Sequence, residues 1–393
     1  MANTMSCENS HILVTGGAGY IGSHVVVGLL QAGYKISIFD NFSNSSLSAI
    51  ERIYKLSGKL FDVYKGDITC SETIDHVISK TKPSGIMHFA GLKSISESIS
   101  YPQKYWEVNV GGTQNILDSM SRHHIQKLVF SSSAAVYGTK SSVAIDETAD
   151  LCPDNPYGES KLKCETLIRE FISTKRNSSA AVLRYFNPVG AHQSGMLGES
   201  SKNNSSNLMP VITQVAAGQK TQLSVFGGGF DTIDGTGVRD YIHISDLVRG
   251  HIKALEFIKD FSGFEVFNLG SGTGYSVLKV IETFKKVTGI TIDYKILGRR
   301  KGDIDTVIAC PVKAKKILGW RAELGLSEIC RDAWAWHKYN HSHDLNFQDM
   351  NWVKPNRKSG YFESISSVMS QVDTPSHATC LKPKPLQNVV SDV

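Results

Sequence analysis

HILVTGGAGYIGSH, His11 to His24, decides the fold. A β-branched apolar run ends in a glycine-rich turn and an amphipathic stretch follows at once, the strand–turn–helix opening of a βαβ unit. Gly16, Gly19 and Gly22 stand in GxxGxxG spacing, with Tyr20 and Ile21 inside the same turn. Glycine lets the backbone turn tightly and approach a pyrophosphate, whose charge meets the free amides and positive dipole of the helix start. The next apolar run, YKISIF, leads into Asp40 and Asn41. A carboxylate there accepts hydrogen bonds from the adenine ribose and repels a 2′-phosphate, so NAD is expected rather than NADP. Asp67, before Ile68 in KGDI, closes a third run. It either bonds the adenine amine or is a helix N-cap for Thr69 onward.

Working outward, LFDVYKGD, GIMHFAG, KLVFSSS and AAVLRYF continue as short runs separated by amphipathic stretches. Such alternation predicts an α/β fold of Rossmann type, a doubly wound parallel sheet with ligands at the C-terminal strand ends. From about Gly190 long Gly/Ser/Asn-rich loops such as LGESSKNNSSN predict a smaller C-terminal substrate-binding lobe. The expected division is 1–190 for the dinucleotide domain, with segments near 240–260 returning to it, and 191–340 for the second lobe. Residues 341–393, rich in Ser, Asn, Pro and Lys, read as a disordered tail.

The 393 residues are 41% hydrophobic and 20% charged, the composition of an ordinary globular protein. Net charge is +5, but no basic run is interleaved with aromatics, so nucleic acid is not the expected partner. Seven scattered cysteines never form CxxC, which argues against a disulfide framework and against a zinc cluster; no metal is expected. The polar start MANTMSCENS and the lack of any long apolar stretch predict a cytoplasmic protein that does not enter the membrane. The sequons at Asn41, Asn44, Asn177 and Asn204 then read as chance matches.

NPYGESK places Tyr157 and Lys161 four residues apart, hence on one helix face, after a strand that ends in Ser131, Ser132 and Ser133. A tyrosine titrates near 10. Bringing it to about 7 takes roughly 4 kcal/mol of preferential phenolate stabilisation. Lys161 and a cationic nicotinamide ring are the expected sources. Ser133 is placed on the reacting oxygen, while Ser131 and Ser132 satisfy backbone groups in the turn.

TGGAGYIGSH, HFAGLKS, SSSAAVYG, NPYGESK, LRYFNPVGAH, NLMP, DGTGVRDYIH and GRRKGD follow one another in this order. From about His11 to Lys338 the chain resembles the extended short-chain dehydrogenase/reductase family, at its UDP-sugar 4-epimerase branch. The resemblance implies that Phe89, Ala90, Gly91, Lys93, Asn109 and Tyr185 line the cofactor, and that Phe186 and Asn187 lie where nicotinamide meets sugar. It places Asn207 and Leu208 near the diphosphate, Phe226 toward uracil, Arg239 and Arg300 on the phosphates and Asp303 on a ribose hydroxyl, with Ser224 and Tyr241 also among the substrate-binding residues. Arginine's planar fork suits phosphate oxygens. The implied activity interconverts UDP-glucose and UDP-galactose through a 4-keto sugar, with retained NAD, in a homodimer.

Ala134 and Ala135 stand where sugar-nucleotide dehydratases carry an acid and a base, which argues against elimination. Other readings are a UDP-glucuronate-processing relative and a non-catalytic NAD-binding regulatory protein. Val307, where some family members have tyrosine, predicts room for an N-acetyl group and hence turnover of UDP-GlcNAc and UDP-GalNAc. ESSKNNSS and Lys301 depart from the family pattern.

Overall fold

The computed structural model describes residues 10–138, 142–199, 207–300 and 303–342. Lys301, most of ESSKNNSS with Asn204, and the tail from residue 343 lie outside the described residues. The first strands are β1 (His11–Thr15), β2 (Lys35–Asp40), β3 (Asp62–Lys65), β4 (Gly85–His88), β5 (Lys127–Ser133), β6 (Ser142–Ile145) and β7 (Ser179–Tyr185). They continue as β8 (Asn187–Val189), β9 (Leu223–Phe226), β10 (Val238–His243), β11 (Gly263–Leu269), β12 (Gly274–Ser276), β13 (Tyr294–Leu297) and β14 (Thr306–Ala309).

Seven of these form one parallel sheet in the order β11-β7-β5-β4-β1-β2-β3. Alternation along β1 shows why. Ile12 and Val14 enter one apolar core, with the helices Tyr20–Gln31 and Ile244–Asp260. Leu13 enters the other, with helices Ser71–Thr81, Gly112–Arg122 and Pro156–Ser173. A strand buried on both faces must be apolar throughout, which is why HILVT reads as a continuous run. The strand order reverses between β1 and β4, and ligand crevices form at such switch points.

The turns after β1 and β4 close on each other there. Gly16 has φ +71°, and a Cβ on it would lie 2.5 Å from the Ala90 nitrogen. A Cβ on Gly22 would lie 2.2 Å from the Gly16 oxygen. The glycine spacing is therefore a steric requirement of the turn itself.

A second sheet, β12-β10-β14-β6 with β8 beside β10, and the pair β13-β9 build the smaller lobe. Its core joins helices Leu208–Ala216, Val277–Thr288 and Leu326–Ser342. No described helix is long and apolar enough to cross a membrane.

Gly22→Ala should lower stability by about 1–3 kcal/mol, since backbone rather than a movable side chain blocks the added methyl. Urea unfolding checks this, and an unchanged midpoint would contradict the turn geometry.

Candidate active site

The helix that follows the glycine turn begins at Tyr20, with Gly19 as an N-cap that offers no side-chain bond and no acidic residue in its first turn. Among the described residues the amides of Tyr20, Ile21 and Gly22 have no protein acceptor. Uncapped amides beside a side-chain-free cradle suit a pyrophosphate, so the residues present fit a dinucleotide.

Asp40 stands close by but is built into the loop. Its carboxylate, 7% exposed, accepts from the Ala18 amide (3.0 Å), the Phe42 amide (2.8 Å) and the Ser45 hydroxyl (3.0 Å). Three of about four acceptor directions are thus occupied, leaving one for a ribose hydroxyl. Asp67 accepts from the Thr69 amide (2.9 Å) and hydroxyl (2.8 Å) and from the Asn41 amide group (2.7 Å). Its side chain therefore forms a turn ahead of the helix that starts at Ser71, whose N-cap is Cys70. Burial alone would raise the Asp67 pKa, but these donors outweigh it and hold the carboxyl below its usual range. The Tyr20 hydroxyl donates to the Gly190 carbonyl (2.8 Å), tying the first helix to the loop after β8. Ile21 and Phe89 pack against the first core, and the Ile68 side chain is buried in the second, against Gly112.

At the end of β5 the expected catalytic residues converge. Asn155 caps the helix Pro156–Ser173 by accepting from the Gly158 amide (2.9 Å), and Pro156 takes the first turn. A Cβ on Gly158 would lie 2.6 Å from the Ala135 oxygen, so this helix start touches the turn that follows Ser133. Ser133 accepts from the Ala135 amide (3.2 Å). Burial raises the Tyr157 pKa, and the adjacent Ser133 hydroxyl pulls it back down in part.

Lys161 is held on the end of β5. Its ammonium, 5% exposed, donates to the Ser131 carbonyl (2.8 Å) and lies 4.9 Å from the Phe130 ring centre. Burial lowers its pKa, against the pull of Cys164 and Glu165. Among the described residues its hydrogen bond is to β5 and not to Tyr157.

Around this pair the polar groups are paired. The buried Asn109 amide accepts from the Leu92 amide (2.7 Å) and donates to the Leu92 carbonyl (3.1 Å) and the Ser160 hydroxyl (3.0 Å). It pins the HFAGLKS loop to the Tyr157 helix. Gly91 lies under both: a Cβ there would be 2.9 Å from Asn109 Oδ1 and 3.7 Å from Lys161 Nζ. Tyr185 donates to His251 Nε2 (2.5 Å), whose other nitrogen meets the Leu247 carbonyl (2.8 Å). His88 bridges the Thr15 (2.8 Å) and Thr113 (3.1 Å) hydroxyls.

The substrate-side residues gather on the second sheet. Arg239 lies opposite Val307 on β14 and Tyr275 on β12, and Tyr241 lies opposite Asn187. Arg239 donates only to its neighbour's carbonyl, at Val238 (2.9 Å), and no carboxylate among the described residues bridges it. Burial lowers its pKa, opposed by Tyr241 and Asp303 and reinforced by Arg300. Arg300 bonds Asp303 (2.9 Å) and covers the Phe226 ring at 4.7 Å. Ser224 is exposed on the same strand face as Phe226. Phe186 is buried with Val136, Tyr137, Ile145 and Ala309, and Ala134 and Val307 pack on that cluster. Asn207 opens the helix in which Leu208 packs on the third core.

Two features escaped the sequence. Glu199 receives both Lys93 (2.7 Å) and Asn207 (3.3 Å), joining the β4 loop to the smaller lobe. Glu165 continues the helix face of Tyr157 and Lys161, a second four-residue step that the spacing shows once it is sought.

Burial lowers His251 to about 4 and His88 to about 3, the latter with help from Lys161. Both must stay neutral in the fold, whereas the unfolded chain protonates them below about 6.5. The unfolded state then binds more protons, so stability falls as pH drops. Urea unfolding should show a loss of about 3 kcal/mol per pH unit from the two together between about pH 6 and 4. A flat profile over that range would contradict their neutral burial.

The family described as GDP-mannose 4,6 dehydratase matches residues 13–333. A UDP-glucose 4-epimerase of Bacillus subtilis (strain 168) is 48% identical over 329 residues, covering 84% of this chain and 97% of that one. The structure of a UDP-glucose-4-epimerase from Stenotrophomonas maltophila with bound NAD and formylated UDP-arabinopyranose superposes with TM-score 0.83 at 42% identity, over 85% of this chain and 99% of that one. That of Bifidobacterium longum UDP-glucose 4-epimerase in complex with NAD+ and UDP gives 0.81 at 42% identity, over 84% and 99%. With the glycine turn, the Tyr157 helix and the arginine-bearing second sheet in place, the chain belongs to the UDP-glucose 4-epimerase family of extended short-chain dehydrogenases/reductases.

Proposed function

We infer that this chain is an NAD-dependent isomerase that interconverts UDP-glucose and UDP-galactose by oxidation at C4′, rotation of the 4-keto sugar and re-reduction. The observation that carries this reading is Ser133 beside Tyr157, with Lys161 on the same strand end, in a fold that also supplies an uncapped helix start and a second sheet bearing unbridged Arg239. Bound NAD supplies the hydride acceptor and donor at C4′. Gly16, Gly19, Tyr20, Ile21 and Gly22 cradle its pyrophosphate. Asp40, Asn41, Asp67 and the Ile68 backbone border the adenosine, and Phe89, Ala90, Gly91, Lys93, Asn109, Tyr185 and Phe186 border the remainder.

Tyr157 takes the O4′ proton and returns it, with Ser133 bonded to the same oxygen. Burial opposes the phenolate, so Tyr157 needs a cation close by when it acts. Lys161, fixed on Ser131, contributes its charge at a distance and braces the strand end. Arg239 and Arg300 hold the diphosphate, Phe226 and Ser224 the uracil, and Asp303 a ribose hydroxyl. Asn187, Asn207, Leu208 and Tyr241 complete the wall. Binding energy placed on the unreactive UDP leaves the sugar free to turn, which both epimers require. Alanine at 134 and 135 leaves no second acid–base pair for elimination.

The same reading assigns nucleotide binding to residues 1–190 with the 240–260 segment, and UDP-sugar binding to 191–340. It places the enzyme in the cytoplasm, in keeping with five unpaired cysteines among the described residues. A homodimer is supported by the exposed Ile99 (65%) and Tyr101 (63%) around the Ile95–Ser100 helix. Val307, half-buried opposite Arg239, favours acceptance of the N-acetylated pair as well.

Tyr157→Phe should reduce kcat at least ~100-fold while leaving bound NAD unchanged. Wild-type epimerisation by this variant would refute Tyr157 as the base. Val307→Tyr should abolish turnover of UDP-GlcNAc and leave UDP-galactose turnover within about threefold. A wild-type enzyme that converts UDP-galactose but not UDP-GlcNAc would sink the broader specificity.

A further inference from the structure

Behind the Tyr157 helix lies a buried polar chain that the reaction does not itself use. Arg184, the bulkiest of the fully buried side chains described, forks onto Glu165 through Nε to Oε1 (3.0 Å) and Nη2 to Oε2 (2.6 Å). The Ser132 hydroxyl donates to the same Glu165 Oε1 (2.5 Å). Arg184 also donates to the Tyr137 hydroxyl (2.9 Å), which donates onward to Asn268 Oδ1 (2.7 Å). Burial would lower the Arg184 pKa, yet the Glu165 bond outweighs it and raises it. The chain joins β5, β7, β11, the turn after Ser133 and the helix Pro156–Ser173.

We propose that Glu165 is a positioning residue: clamped by Arg184 and Ser132, it fixes the rotation and height of the Tyr157 helix against the strand ends that carry Ser133 and Tyr185. The proposal rests on Tyr157 being the base. Tyr157, Lys161 and Glu165 repeat every four residues, so they share a helix face and one anchored member orients the other two. In the sheet, Ser132 pairs with Arg184 and Ser133 with Tyr185, so the clamp grips the residues next to the reacting ones. Lys161 closes the other side by bonding the Ser131 carbonyl. A buried ion pair adds little net stability over apolar residues of similar size, so geometry rather than stability is the natural use of this one.

The two ways in which Glu165 could influence Tyr157 have opposite signs. Acting through charge alone, its removal would make the phenolate easier to form. Acting through position, its loss displaces Lys161 and makes the phenolate harder to form. The test uses two variants of the NAD-bound enzyme. Ser132→Ala changes no charge and keeps the ion pair. Glu165→Gln combined with Arg184→Met keeps the net charge of the cluster.

Tyr157 is titrated by its phenolate absorbance, as the difference between each protein and its Tyr157→Phe counterpart, and kcat and KM are measured for UDP-galactose. Ser132→Ala should lower kcat about fivefold with KM within about twofold, and raise the titration midpoint by about half a pH unit. The double variant should lower kcat about 100-fold and raise the midpoint by about one pH unit. Wild-type kcat and midpoint in Ser132→Ala, or a lowered midpoint in the double variant, would overturn the proposal. Should the double variant fail to fold, Ser132→Ala decides alone. Activity in Tyr157→Phe itself would instead remove the base assignment and leave the clamp purely structural.

Discussion

Backbone-to-backbone approach at the switch point of the parallel sheet governs the rest of this molecule. Gly22 meets the Gly16 carbonyl, and Gly16 meets the Ala90 amide, at distances that no side chain survives. Because β1 and β4 are adjacent and their connections leave in opposite directions, this contact opens a crevice lined by amides instead of side chains. A helix start without a cap then faces the crevice. Anion binding follows from the amides and the dipole together.

Rigidity on the other flank has a different origin. Pairing of buried polar groups, more than apolar packing, locates the reacting side chains. Asn109 fastens the β4 loop to the Tyr157 helix, Lys161 fastens that helix to β5, and Glu165 with Arg184 fastens it to β5 and β7. Each of these groups is costly to bury alone and inexpensive once paired. The substrate side is the reverse: Arg239 keeps its fork unbridged, and Arg300 leans on one carboxylate and one ring. A half-buried guanidinium without a carboxylate has N–H donors free for an anionic ligand. The proposed function assigns the chemistry to the preorganised half and the UDP to the half with uncommitted charge.

The sheet was legible because its central strands, β1, β4 and β7 among them, are buried on both faces and so read as apolar runs; KLVFSSS coincides with β5, and AAVLRYF is displaced from β7 by one residue. The glycine turn and the Tyr157–Lys161 pair were legible because each couples a fixed spacing to a fixed local geometry. Partners that depend on tertiary contact were not. Nothing in KGDI distinguishes an adenine contact from the turn that Asp67 forms with the Thr69 amide and hydroxyl, since both use the carboxylate as a hydrogen-bond acceptor. The spacing put Lys161 on the helix face of Tyr157 but could not reveal the Ser131 carbonyl as its hydrogen-bond partner, which only the packing of the helix on β5 supplies. Glu199 lay in a loop whose ion-pair partner, Lys93, is distant in sequence.

The proposed reaction requires that one C–H bond of the sugar be broken and remade with the same hydride, which is never exchanged with solvent. The most direct measurement supplies UDP-galactose deuterated at C4′ to the purified enzyme, with no added cofactor, and follows the label into UDP-glucose. Retention of deuterium at C4′ in essentially every product molecule is the predicted result. Replacement of that deuterium by hydrogen from solvent would contradict internal return of the hydride and with it the functional account of the crevice.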